Sequence, residues 1–324
     1  MNKNNLRFSK KFMYLIAGGS LATFILSKCD VSVQVHKPDN INIYMVNEKD
    51  SQEEIKNRKL KNRANEDTTS FHFQNYHITE DIINLNDISP NTSEITFTNC
   101  QIDNLDFIAS LENLKIISFI GCKIDDKQFK NLSNSIENIT ITKCSTEQFK
   151  NLCRMTNLNF LTIGIDDEFD YTLFSKLSSE LEGLIIADSS DTNNYFDFSN
   201  ISNLKSIKTL QLKTNKKVKN VDSIKNMISL NTLIISEYNY ENLEFIKNIP
   251  NLEKLYLTVY GHDLENGLVD LYPIVELNNE RQDDNKLSFH GYVVTGKNSF
   301  INYSLEELQE LINNKGKQLK KSKK

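Results

Sequence analysis

Between residues 92 and 262 the chain repeats one order of apolar and polar positions. An apolar residue is followed by two of any kind, an apolar, one of any kind, an apolar, two more, then a small or polar residue. The stretches are TSEITFTNCQI (92–102), LKIISFIGCKI (114–124), IENITITKCST (136–146), LNFLTIGIDDE (158–168), LEGLIIADSSD (181–191), IKTLQLKTNKK (207–217), LNTLIISEYNY (230–240) and LEKLYLTVYGH (252–262). Their starts are 22, 22, 22, 23, 26, 23 and 22 residues apart. A recurrence held over seven intervals predicts a stack of like units, each unable to bury its own apolar edge.

Within a unit the fourth and sixth positions are apolar and the residue between them usually polar, the period of a half-buried strand. These pairs run Ile95/Phe97, Ile117/Phe119, Ile139/Ile141, Leu161/Ile163, Leu184/Ile186, Leu210/Leu212, Leu233/Ile235 and Leu255/Leu257. The segments that return to the next strand carry apolar residues three apart, as in Ile102, Leu105, Ile108, Leu111 and Leu114. That spacing predicts short 3₁₀ turns rather than long helices. A ninth, degenerate unit is expected at DNKLSFHGYVV (284–294).

Cys100, Cys122 and Cys144 all fall at the ninth position, with Asn215 there in a later unit. The chain leaves its strand at this point, so a compact residue that tolerates burial and offers a weak S–H donor suits it. A disulfide among adjacent rungs is within Cα reach, but three thiols in a row cannot all pair. A metal site lacks a His or a fourth Cys at suitable spacing.

The unit resembles the leucine-rich repeat, L-x-x-L-x-L-x-x-N/C-x-L. NLDFIASLENL and NLEFIKNIPNL also resemble the 22-residue repeats of bacterial internalins. The resemblance covers roughly residues 90–262. It implies an α/β repeat fold, a solenoid with a parallel concave sheet inside and short 3₁₀ or helical segments outside. From the internalins it further implies surface display and contact with host or neighbouring-cell proteins.

Outside the repeats the pattern changes. Residues 1–29 combine a basic start (Lys3, Arg7, Lys10, Lys11) with an uncharged run from Phe12 to Leu26. This reads as an export signal or, less well by its length, a membrane anchor. Cys29 in LSKC is a candidate for lipidation, although Lys28 departs from the lipobox pattern. Residues 30–67 read as a polar linker, 68–91 as an N-terminal cap region, and 92–262 as about eight repeats. Residues 263–313 read as a C-terminal cap ending in a helix from about 305 to 313, opened by a Ser304–Glu307 capping box. Residues 314–324 form a basic tail. The 188–200 stretch, long and rich in Asn, Asp and Ser, is expected to be a loop.

The net charge of −5 gives no pull toward nucleic acid. The five histidines are scattered, and no catalytic constellation, metal-ligand spacing or phosphate-cradling loop emerges, so neither catalysis nor a cofactor is expected. Binding is expected instead on the concave sheet, roughly 40 Å across for eight strands. Candidate contacts are the apolar residues read onto that face: Ile116, Ile120, Phe160 and Ile165 early, Ile185, Ile234, Tyr256 and Val259 late. The expected role is an exported or surface-associated recognition protein for a protein partner. The alternative is an intracellular or membrane-tethered scaffold for a partner in the same cell.

Overall fold

The computed structural model describes residues 13–17, 20–24, 43–47, 69–79, 88–165, 168–188, 195–214, 216–236, 239–260, 269–282, 285–296 and 299–322. The chain divides into two compact units, with the boundary between Leu181 and Glu182.

In the first unit, β1 (Met13–Ala17) and β2 (Ser20–Phe24) pair antiparallel. They occupy the uncharged run read as an export or anchor segment. Among the described residues no helix is long and apolar enough to cross a membrane. A parallel ladder follows: β3 (Ile43–Asn47), β4 (Ser70–Gln74), β6 (Glu94–Thr98), β8 (Ile116–Ile120), β10 (Asn138–Cys144) and β11 (Phe160–Ile165). Short strands β5 (His77–Ile78), β7 (Gln101–Ile102) and β9 (Lys123–Ile124) form a second ladder where the chain turns back. Ile95, Ile117, Ile139 and Leu161 lie in register, as the repeat requires.

The ladder begins earlier than the repeat pattern alone suggests. Phe71 and Phe73 of β4 pair with Ile95 and Phe97, so the stretch read as a cap is a further rung. Before it, β3 lies within the stretch read as a linker and pairs in register with β4. Three successive rungs of the sixth column, Phe73, Phe97 and Phe119, form a phenylalanine stack. Phe73 and Phe97 are 5.2 Å apart at 15°, and Phe97 and Phe119 are 5.5 Å apart at 4°.

The return segments are mostly 3₁₀, at Asp106–Ser110, Asp126–Asn131 and Tyr171–Lys176. The exception is α1 (Thr146–Leu152), where Ser145 and Gln148 complete a reciprocal capping box and stabilise a true helical turn.

The second unit repeats the design with β12 (Gly183–Asp188), β14 (Thr209–Thr214), β16 (Thr232–Ser236), β17 (Lys254–Tyr260) and β18 (Ser288–Gly296), all parallel. The stretch expected to be a loop contributes β13 (Tyr195–Asp197), which pairs with β15 (Lys217–Lys219) on the return side and continues into a 3₁₀ turn at Phe198–Ile201. Further 3₁₀ turns follow at Val221–Asn226 and Glu244–Asn248.

A helix, α2 (Tyr272–Glu280), bridges the long connection to the ninth unit. Strand β18 places Phe289 beside Leu255 and Gly291 beside Leu257. Its core positions therefore fall two residues later than the quoted 284–294 stretch places them. Strand β19 (Ser299–Tyr303) then turns back antiparallel to β18. The last helix, α3 (Leu305–Ser322), starts as expected, with Ser304 N donating to Glu307 Oε2 (2.8 Å) and Glu307 N to Ser304 Oγ (3.2 Å). It runs well beyond 313 and takes in most of the stretch read as a separate tail. This is a leucine-rich-repeat solenoid fold in each unit: a parallel sheet on one side and short helical turns on the other.

Candidate partner-binding face

Parallel register converts each repeat position into a column of neighbouring side chains. Strand alternation sends the fourth and sixth columns into the core and the third, fifth and seventh outward. Where the strand runs on past the seventh position, as in the fourth and eighth repeats, alternation also sends the eighth residue inward. Ile165 (5 % exposed) and Val259 (0 %) stand there and are buried, which removes both from the candidate surface. Ile165 continues the inward row of Leu161 and Ile163 and pairs with buried Cys144; Val259 continues that of Leu255 and Leu257.

Two further candidates are buried although they have outward parity. Ile120 is 1 % exposed, at the strand end where Asn99 N donates to its carbonyl (2.7 Å) and Gly121 N donates to Thr142 Oγ1 (2.7 Å). Ile185 is 2 % exposed beside Gln211, so the outward face is closed at that rung as well. The first unit's fifth column, Thr96, Ser118, Thr140 and Thr162, is likewise buried.

Ile116, Phe160, Ile234 and Tyr256 keep partial exposure. In the first unit Ile116 and Phe160 flank Asn138, which pairs with both. In the second, Ile234 pairs with Tyr256, which pairs with His290. The Tyr256 and His290 rings stack at 4.9 Å and 10°, and Tyr292 lies 6.5 Å from Tyr256 at 11°. Three nearly parallel rings and Ile234 thus form one half-buried outward patch. Burial, with Tyr256 adding to it, raises the Tyr292 phenol above its ordinary value. His290 and Tyr292 escaped the sequence reading because the outward columns were followed over eight units only; the two-residue offset of the ninth leaves both on the same face. A search for aromatics at outward positions of the ninth unit would have found them.

Cys100 Sγ donates to Phe73 O (3.5 Å) and Cys122 Sγ to Phe97 O (3.4 Å), each reaching the preceding rung. The neighbouring Cys100 sulfur, and then burial, push the Cys122 thiol up. Cys144 is buried, and no disulfide joins any of the four described cysteines to another. Asn215 and Cys29 lie outside the described residues. In the second unit Asn239 reaches back in the same manner, its Nδ2 donating to Thr214 O (3.0 Å) and Lys216 O (2.7 Å).

Among the described residues no group of three or more His, Cys, Asp or Glu could hold a metal ion. His77 and Asp103 form an exposed pair at 2.5 Å on the turn side of the first unit. His72 Nε2 meets Thr98 Oγ1 at 2.9 Å, and burial lowers the imidazole below its ordinary value.

Comparison with known proteins finds one family model and solved structures that resemble this chain. A family model described as ChAPs (Chs5p-Arf1p-binding proteins) matches residues 1–151. No curated protein matches. Among solved structures, an internalin C2 from Listeria monocytogenes is similar at 17 % identity, covering 59 % of this chain and 81 % of that one, with a TM-score of 0.45. An internalin from the same organism, internalin F, is similar at 13 % identity, covering 71 % and 76 %, with a TM-score of 0.41.

The family match corrects the expected localisation. It takes in the whole stretch read as an export signal, as part of a region shared with proteins named for binding Chs5p and Arf1p. Export therefore does not stand.

Proposed function

We propose that this chain is a non-enzymatic adaptor inside the cell, holding a protein partner against the outward face of its parallel sheet. The observation that carries the reading is the Tyr256–His290–Tyr292 stack with Ile234 beside it. Flat, rigid aromatic rings that are only half-buried on a sheet are the residue class that anchors protein interfaces. The match to Chs5p-Arf1p-binding proteins supports a partner in the same cell, free or on a membrane. Ile116 and Phe160 offer a second contact point on the first unit. The 22-residue step between core positions 95, 117, 139 and 161 supports a place for the repeats in the 22-residue class.

Affinity capture from the native cell tests this reading. Wild type and Ile228→Asp, a change at an exposed return-segment residue, are expected to retain the same partner, and Tyr256→Asp to lose it. Equal capture by all three would remove the outward face from the account.

A further inference from the structure

We propose that the C-terminal edge of the second unit's sheet, strand β19, pairs with the same strand of a second copy of this chain. Three observations lead there. First, among the described residues β19 is the end of its ladder, paired with β18 and with nothing beyond it. An edge strand offers a row of backbone donors and acceptors to any strand of matching register.

Second, a buried column runs off that edge. Val259 pairs with Val293, and Val293 with Ile301. Val259 is 0 % and Val293 1 % exposed, whereas Ile301 is 45 % exposed. Paired residues share a face of the sheet, so Ile301 is the next member of an inward column, left uncovered. The last helix does not close this gap. Its Leu308 packs over Gly291, two residues away along β18.

Third, the edge lacks the charged and proline residues that commonly block such pairing. Ser299-Phe-Ile-Asn-Tyr303 contains no charge and no proline. The irregularity in its pairing lies between Val294 and Gly296, which leaves 300–303 in register.

The occupant must bring an apolar residue opposite Ile301. Antiparallel pairing of two β19 strands about a two-fold axis does so, setting Ile301 against its own copy and Asn302 against register position 300 of the partner. An isologous contact of this kind closes on itself and yields a dimer rather than a fibre.

Sedimentation velocity of the purified full chain over a wide concentration range is the test. A reversible dimer is expected for wild type. Ile301→Lys sets two like charges opposite each other and should weaken association by roughly tenfold or more. Because Ile301 is already exposed, its circular dichroism and melting should match wild type. In a second arm, Ile301→Cys is expected to cross-link two copies under mild oxidation, and Ile228→Cys not to. A wild type that stays monomeric throughout, a dimer indifferent to Ile301→Lys, or equal cross-linking from 228 would each overturn the proposal.

Discussion

Leu308 of the last helix occupies the space that a side chain at residue 291 would need. A Cβ on Gly291 would meet Leu308 Cδ2 at 2.7 Å and Phe289 Cε1 at 2.9 Å. Gly291 stands in the sixth column, which elsewhere in the second unit holds Ile186, Leu212, Ile235 and Leu257. The missing side chain is the socket through which the helix closes the core, with Leu305 and Leu308 buried in it. Gly291→Val restores the repeat pattern but evicts the helix. A loss of about 1–3 kcal/mol is expected from urea unfolding, as for other overpacked sites. Leu308→Ala should cost about 2–5 kcal/mol by leaving the socket empty. The two changes share one contact, so their effects should not add.

Phe97 sits at the middle of the first unit's aromatic stack, fully buried between Phe73 and Phe119. Phe97→Ala should destabilise that unit by about 3–5 kcal/mol. Phe97→Leu, which keeps most of the volume, should cost much less. Amide exchange across β4, β6 and β8 checks this, because each repeat leans on its nearest neighbours.

His72 gives the first unit a pH dependence of known sign. Burial lowers its folded pKa, so between the folded value and the unfolded value near 6.5 the unfolded chain binds the extra proton. Stability should be intact above about pH 6.5 and fall as the pH drops through the window below it. Glu94 opposes this at lower pH. Burial raises its carboxyl, so its share of stability is present in acid and is lost as pH rises through its folded value. His72→Gln should flatten the slope below pH 6.5, and Glu94→Gln should steepen it. Denaturant midpoints across the pH range measure both.

Cys122 of the ladder and Cys153, at the end of the Thr146–Leu152 helix, should be poor nucleophiles in the folded protein. Cys153 is pushed up to about 11 by burial, and Cys122 is also raised. Alkylation at neutral pH followed by peptide mass spectrometry should leave both largely unmodified until the chain is unfolded. Rapid labelling of folded Cys122 would contradict its place in the ladder.

Much of this was legible because the repeat period sets register. Ile95, Ile117, Ile139 and Leu161 could be aligned from their spacing alone, and the ninth-position cysteines followed from the turn they occupy. The candidate surface was harder to read. The third, fifth and seventh columns obey the outward parity, but at Ile165 and Val259 the strand continues and two-residue alternation points the side chain inward. Burial of Ile120 and Ile185 depends on what closes over the outward face, which no single repeat encodes. His290 and Tyr292 were hidden by the connection holding Tyr272–Glu280, which breaks the period before β18. The glycine at 291 completed the disguise, since it stands where the pattern asks for a large apolar residue.

The most direct measurement is site-specific photo-cross-linking in the native cell, with the reactive side chain placed at residue 290 or at residue 228. Position 290 lies in the aromatic stack and 228 on the exposed return segment. A discrete adduct with one protein from 290, absent from 228 and abolished by Tyr256→Asp, is the predicted result. The same adduct from both positions, or from 228 alone, would contradict the claim that the outward face of the sheet holds the partner.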